Sequence, residues 1–137
     1  MIIGFDYWQV ISHYPDQIGH LMFALRHAPR LSAESDHEIH VISAVGSARI
    51  GTIEREVFNV LLDAGFESDH LLDGIHEVVF DDPSQSPELK LAKCLELGID
   101  MFFDDRDDVC RVLNAHGIAA MRVTRRDNST YDLGAER

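Results

Sequence analysis

Five short apolar runs, separated by stretches of helical periodicity and most of them closed by an acidic residue or a glycine, constrain this chain more than any other feature of its sequence. Met1 to Phe5 reads as a buried strand that stops on the charge of Asp6. From Asp16 to Ala28, Ile18, Leu21, Met22 and Leu25 recur at the spacing of one helix face. Asp16 stands where a cap would, and Pro29 ends the pattern. A polar loop, Leu31 to Asp36, leads to a second strand, His37 to Ala44. Thr52 to Ala64 is a helix with Ile53, Val57, Val60, Leu61 and Ala64 inward and Gly65 as its stop. Ile75 to Phe80 is a third strand, closed by Asp81-Asp82-Pro83. Ser86-Pro87-Glu88 opens a helix with a capping residue and then a proline, and Gly98 follows its last residue, Leu97. Ile99 to Phe103 is a fourth strand ending in Asp104-Asp105, Asp107 to Ala115 a helix stopped by Gly117, and Ile118 to Val123 a fifth strand.

Strands that alternate with helices build a mostly parallel sheet covered on both faces. The expected fold is therefore α/β: a Rossmann-like three-layer α/β/α sandwich around a five-stranded sheet. One domain would span residues 1–124, with a polar tail over 125–137. In open parallel sheets the ligand crevice lies outside the carboxyl ends of the strands. Those ends here carry Asp6, Ser43 and Asp104-Asp105. Three polar or acidic groups at the ends of apolar strands would converge on one site.

A chain of 137 residues is long enough to bury a core. Its net charge of -12 opposes a broad nucleic-acid footprint, which needs Lys/Arg surface, but leaves room for a divalent cation or a local basic pocket. No apolar run approaches the roughly 20 residues of a membrane span, and the first residues carry no basic leader pattern. The expectation is a cytoplasmic protein with no membrane partner, in which a homo-oligomer is compatible with everything above. Cys94 and Cys110 fall among apolar neighbours on helices, as free buried thiols do. No histidine pair has zinc-ligand spacing with a third ligand, so the eight histidines read as surface or core residues.

The segment Met1-Ile2-Ile3-Gly4-Phe5-Asp6-Tyr7-Trp8-Gln9-Val10-Ile11 resembles the opening of phosphatases of the haloacid dehalogenase (HAD) superfamily, an apolar strand followed by D-x-D-G. Val41-Ile42-Ser43-Ala44 resembles that family's second motif, and Lys90 stands where the family places its lysine. Met101-Phe102-Phe103-Asp104-Asp105-Arg106 resembles the fourth motif, an apolar strand and then a double Asp. The four arrive in the family's order over about residues 1 to 123; the stretch from Leu97 to Val123 is the most specific, and is similar to the phosphatase domain of phage polynucleotide kinase and to small capless phosphatases. The resemblance implies a HAD-like fold with minimal or no cap and an Mg²⁺-dependent phosphohydrolase. Asp6 would be the nucleophile, taking the phosphoryl group as an aspartyl-phosphate. Asp6, Asp104 and Asp105, with Trp8 in the remaining metal position, would form the Mg²⁺ set. Ser43 and backbone groups beside it, Ala44 included, would bind phosphoryl oxygens, and Lys90 would neutralise charge. Trp8 and Arg49 are further substrate-binding candidates, and a phosphomonoester, nucleotide or nucleic-acid end is the implied substrate.

The pattern departs at its second aspartate. Trp8 stands two residues after Asp6, and Gln9 follows where glycine is expected. In the family that aspartate protonates the leaving group and then activates water, and an indole does neither. Three explanations compete: a substitute acid/base, for which His13 is the nearest candidate; a domain that binds Mg²⁺ and phosphate, or a protein partner, without efficient turnover; and displacement at carbon, as in dehalogenases. For each residue a plainer role stands beside the sharp one. Lys90 would be an ordinary helix residue with Lys93 as the fallback, Ser43 a backbone partner, Asp107 and Asp108 first-turn helix acids, and Arg49 and Arg106 solvated cations.

Overall fold

A computed structural model describes residues 1–27 and 37–124. Ala28, Pro29, the polar loop 31–36 and the tail 125–137 lie outside the described residues. The elements are β1 (Ile2–Phe5), α1 (Pro15–His27), β2 (Glu38–Val45), α2 (Ile53–Asp63), β3 (Gly74–Val79), α3 (Ser86–Leu97), β4 (Met101–Asp104), α4 (Asp107–Ala115) and β5 (Ala119–Arg122). All four strand pairings are parallel, in the order β3-β2-β1-β4-β5. The fold is the expected Rossmann-like α/β sandwich.

Side-chain alternation along the strands splits the core in two. Ile3, Phe5, Ile39, Val41 and Val45 pack with Ile18 and Met22 of α1 and with Ile53, Val57 and Leu61 of α2. Ile42, Ala44 and Phe102 pack on the other face with Leu91 and Cys94 of α3 and with Val109 and Leu113 of α4. Helices that follow β1 and β2 thus cover one face, and those that follow β3 and β4 cover the other. The chain changes face between β1 and β4, the place where parallel sheets of this kind put their ligand crevice. Among the described residues no helix is long and apolar enough to cross a membrane.

Several local expectations change. Leu21 is exposed, so Ile18, Gly19 and Met22 form the buried stripe of α1. β2 extends two residues beyond Ser43, because Val45 still pairs with Val79 and reaches the core. Ser86 is the first residue of α3 rather than its cap. The cap belongs instead to Asp82, which accepts from the Ser84 amide in a capping box closed by Gln85, at the head of a short turn leading into the helix. Arg106 is buried, not solvated. Its guanidinium holds Asp108 and donates to the Pro83 carbonyl, tying the β4–α4 connection to the β3–α3 connection. Both cysteines are free and buried, and burial pushes each thiol up to about 12. His40 sits inside the sheet on β2, its Nδ1 3.0 Å from Nε2 of His76 on β3.

Candidate active site

β1 and β4 lie side by side, with Phe5 paired to Phe103 and their rings stacked at 4.9 Å. Asp6 is the next residue out from β1, and its amide donates to the Phe103 carbonyl at 2.9 Å. Asp104 is the last residue of β4. The two carboxylates therefore leave adjacent strands at the same end of the sheet. Both are fully buried, at 0 % exposure, and Asp105 is 3 % exposed.

Lys90 reaches this pair from α3. On that helix Pro87, Lys90, Leu91 and Cys94 share the buried face, so the helical period itself points the lysine inward. Its Nζ lies 2.6 Å from Oδ2 of Asp104 and 3.1 Å from Oδ1 of Asp6, and the side chain is 1 % exposed. Below the ammonium lies the ring of Phe102, 5.9 Å away. The other oxygen of Asp104 accepts from the Arg106 amide at 2.9 Å. Burial raises the Asp104 carboxyl above its ordinary value and Asp105 adds to the rise, while Lys90 and the Arg106 amide oppose it. Asp6, Asp104 and Asp105 each offer an oxygen within 4.8 Å of the others, so the three could hold a cation between them.

Ser43 lies two residues beyond Val41, the last residue of β2 paired with β1. Its hydroxyl is buried and has no hydrogen-bond partner among the described residues. Ala44 turns its methyl into the α3/α4-side core, so only its main chain could face a ligand.

The connection from β1 to α1 covers only residues 6–14. Tyr7–Ile11 coils into a single wide turn, interrupted by extended backbone at Trp8 and by Gln9. Gln9 has φ 64°, the only positive value at a non-glycine among the described residues. The left-handed conformation that suits a glycine is thus kept with a bulkier residue, at a backbone cost of about 1–2 kcal/mol. A β-branched side chain fits that region worse still. Gln9→Val is expected to destabilise the fold by about 1–2 kcal/mol more than Gln9→Gly, measured by urea unfolding; equal losses would show that the turn relaxes out of this conformation.

Trp8 is pinned. Its ring meets Tyr7 edge-on at 5.0 Å, and the Arg49 guanidinium lies over it at 4.2 Å. Nη2 of Arg49 also holds both carboxylate oxygens of Glu56 on α2 at 2.7 Å. Glu56 and the conformation of Gln9 were not foreseen from the sequence. A motif glycine expected at position 9 could have signalled the second, but no local pattern signals the first. Tyr7 is pushed up to about 12 by burial, reinforced by Glu56. His13 is exposed, on the turn before α1, with its ring edge-on to Tyr14 at 4.6 Å. The structure thus gathers Asp6, Lys90, Asp104 and Asp105 into one cluster and Trp8, Arg49 and Glu56 into a second, and places His13 at the surface.

No family model and no curated protein matches the sequence. Among solved structures, the chain is similar to a HAD family enzyme from Bacteroides thetaiotaomicron, an aspartate-to-alanine mutant in complex with magnesium and inorganic phosphate. The identity is 13 % and the TM-score 0.42, over 83 % of this chain and 55 % of that one. This chain therefore spans about half the length of that enzyme.

Proposed function

We propose that the chain is a HAD-like, Mg²⁺-dependent phosphohydrolase that transfers the phosphoryl group of a phosphomonoester to Asp6. The observation that carries this reading is the buried ammonium of Lys90 between Asp6 and Asp104, at the carboxyl ends of the two strands where the sheet changes face. A carboxylate at that place is a nucleophile held on a rigid strand end, and Lys90 steadies its negative charge and that of an incoming phosphoryl group. The orphan hydroxyl of Ser43 supplies a donor for a phosphoryl oxygen. Lys90 bridges two of the three carboxylates in the cluster, and an all-oxygen set suits Mg²⁺ with its retained waters. When bound, the cation offsets the surplus negative charge and polarises the phosphoryl oxygens. Trp8 could contribute to it only through its main-chain carbonyl, since an indole offers no lone pair. The short connection from β1 to α1 favours bulky substrates, a nucleotide or a nucleic-acid end included, although the net charge of -12 works against long polynucleotides. The pinned Trp8 favours a second reading, a site that holds its ligand without efficient turnover.

Phosphate release from a panel of phosphomonoesters, including 3′- and 5′-nucleotides, tests the proposal. Slow release that requires Mg²⁺ and disappears in Asp6→Asn is expected. Release unchanged by Asp6→Asn, or by chelation of the metal, would sink it.

A further inference from the structure

Leaving groups differ in what they ask of an enzyme. The alkoxide of a phosphomonoester is strongly basic and needs a proton as it departs. A carboxylate, whose acid has a pKa of about 4, departs unaided. Apart from the carboxylates that would hold the cation, few groups near Asp6 could supply that proton. Trp8 does not titrate, and Arg49 and Tyr7 hold its ring in place. Both oxygens of Glu56 are taken by Arg49. His13 stands at the surface against Tyr14. Lys90, between two carboxylates, is committed to charge neutralisation.

We propose that Asp6 is a site of persistent phosphorylation, loaded by acyl phosphates and slow to discharge. This rests on the phosphoryl-transfer reading above and names the donor class of the same site. In the loading step an Asp6 carboxylate oxygen forms the new bond to phosphorus as the bond from phosphorus to the acyl oxygen breaks. The electron pair leaves on the donor's carboxylate, and no proton changes place. Discharge requires water to attack the same phosphorus and lose a proton to a base, and position 8 provides none. The parts that receive a phosphoryl group, Lys90 and the unpartnered Ser43 hydroxyl, are in place, and the residue that would release it is replaced by a fixed aromatic ring.

The test is intact-mass measurement of the full chain after incubation with Mg²⁺ and acetyl phosphate. One phosphoryl group per chain is expected, absent in Asp6→Asn and removed by hydroxylamine as an acyl phosphate is. Trp8→Asp should shorten the lifetime of the adduct by about 10²–10⁴-fold. The decay of the wild-type adduct should be flat between about pH 5 and 8, a reading that does not depend on whether the Trp8→Asp variant folds. An inflection in that range would reveal a titrating base that discharges the adduct and overturn the proposal. So would an unchanged lifetime in a folded Trp8→Asp variant. Asp6-dependent turnover of alkyl monoesters with no accumulating adduct would overturn it while leaving the phosphohydrolase reading intact. Neither release nor adduct with any donor would remove both.

Discussion

Lys90→Met is expected to cost about 3–5 kcal/mol of folding stability, the range for removing one partner of a buried ion pair. Methionine keeps the length and most of the volume of the lysine stem, so the loss isolates the charge. Without the ammonium, Asp6 and Asp104 remain fully buried at adjacent strand ends, with their nearest counter-charge gone. Urea unfolding of the two proteins in chelator measures the difference. Two controls separate charge from packing. Adding Asp104→Asn removes one of the stranded charges, keeps an oxygen for the Arg106 amide, and should recover part of the loss. Mg²⁺ at one fixed concentration should recover more in Lys90→Met than in the parent, because the cation then meets the three carboxylates with no ammonium competing for them. A loss below about 1 kcal/mol in chelator would mean that water reaches the carboxylates and screens them, contrary to their burial.

Gly4→Ala is expected to be nearly as costly, for a reason of space alone. A Cβ on Gly4 would sit 2.5 Å from Cδ1 and 2.8 Å from Cε1 of Phe102, well inside contact distance. Phe102 is 0 % exposed and hemmed in by the α3/α4-side core, so the ring has nowhere easy to go. Overpacking of this kind costs about 1–3 kcal/mol. The displacement would also reach the candidate site, because the same ring underlies the Lys90 ammonium and its strand ends in Asp104 two residues on. Stability and the proposed phosphoryl transfer to Asp6 should therefore fall together. Shrinking the obstacle should make Gly4→Ala/Phe102→Leu lose less stability than the two single losses summed, a coupling that a double-mutant cycle reads directly. Additive losses would show that the two residues do not compete for the same space.

Much of this arrangement was legible because it is written in short-range patterns. Apolar runs marked all five strands, and Gly98, with φ 73°, ends α3 where its position suggested. The strand ends were less legible. The acid at Asp104 reads as the close of an apolar run, yet its backbone still pairs with Arg122 in the sheet. Ser43 misleads in the same way, since the ladder depends on backbone pairing and Val45 continues it. Lys90 carried a usable local sign, a lysine in the same helical row as Leu91 and Cys94, though only the resemblance assigned it a purpose. What no local pattern contained was contact between distant segments. The stack of Trp8, Arg49 and Glu56, the His40–His76 pair and the hold of Arg106 on the Pro83 carbonyl each join residues whose separations are set by the tertiary fold.

The order of strands has a bearing on how the molecule comes to exist. β1 lies at the middle of the sheet, yet its partner β4 begins at Met101, so Ile3 must wait for almost the whole described chain before that ladder can close. Pairings so remote in sequence delay the rate-limiting encounter in folding, because the entropy of closing the loop is lost before any contact repays it. On the ribosome, β2 and β3 can meet β1 first, while Asp6 remains at an unpaired edge until Lys90 and Asp104 have been synthesised. The acidic cluster is thus among the last features to form, and a nascent or truncated chain that stops short of β4 has Asp6 without its acidic partners.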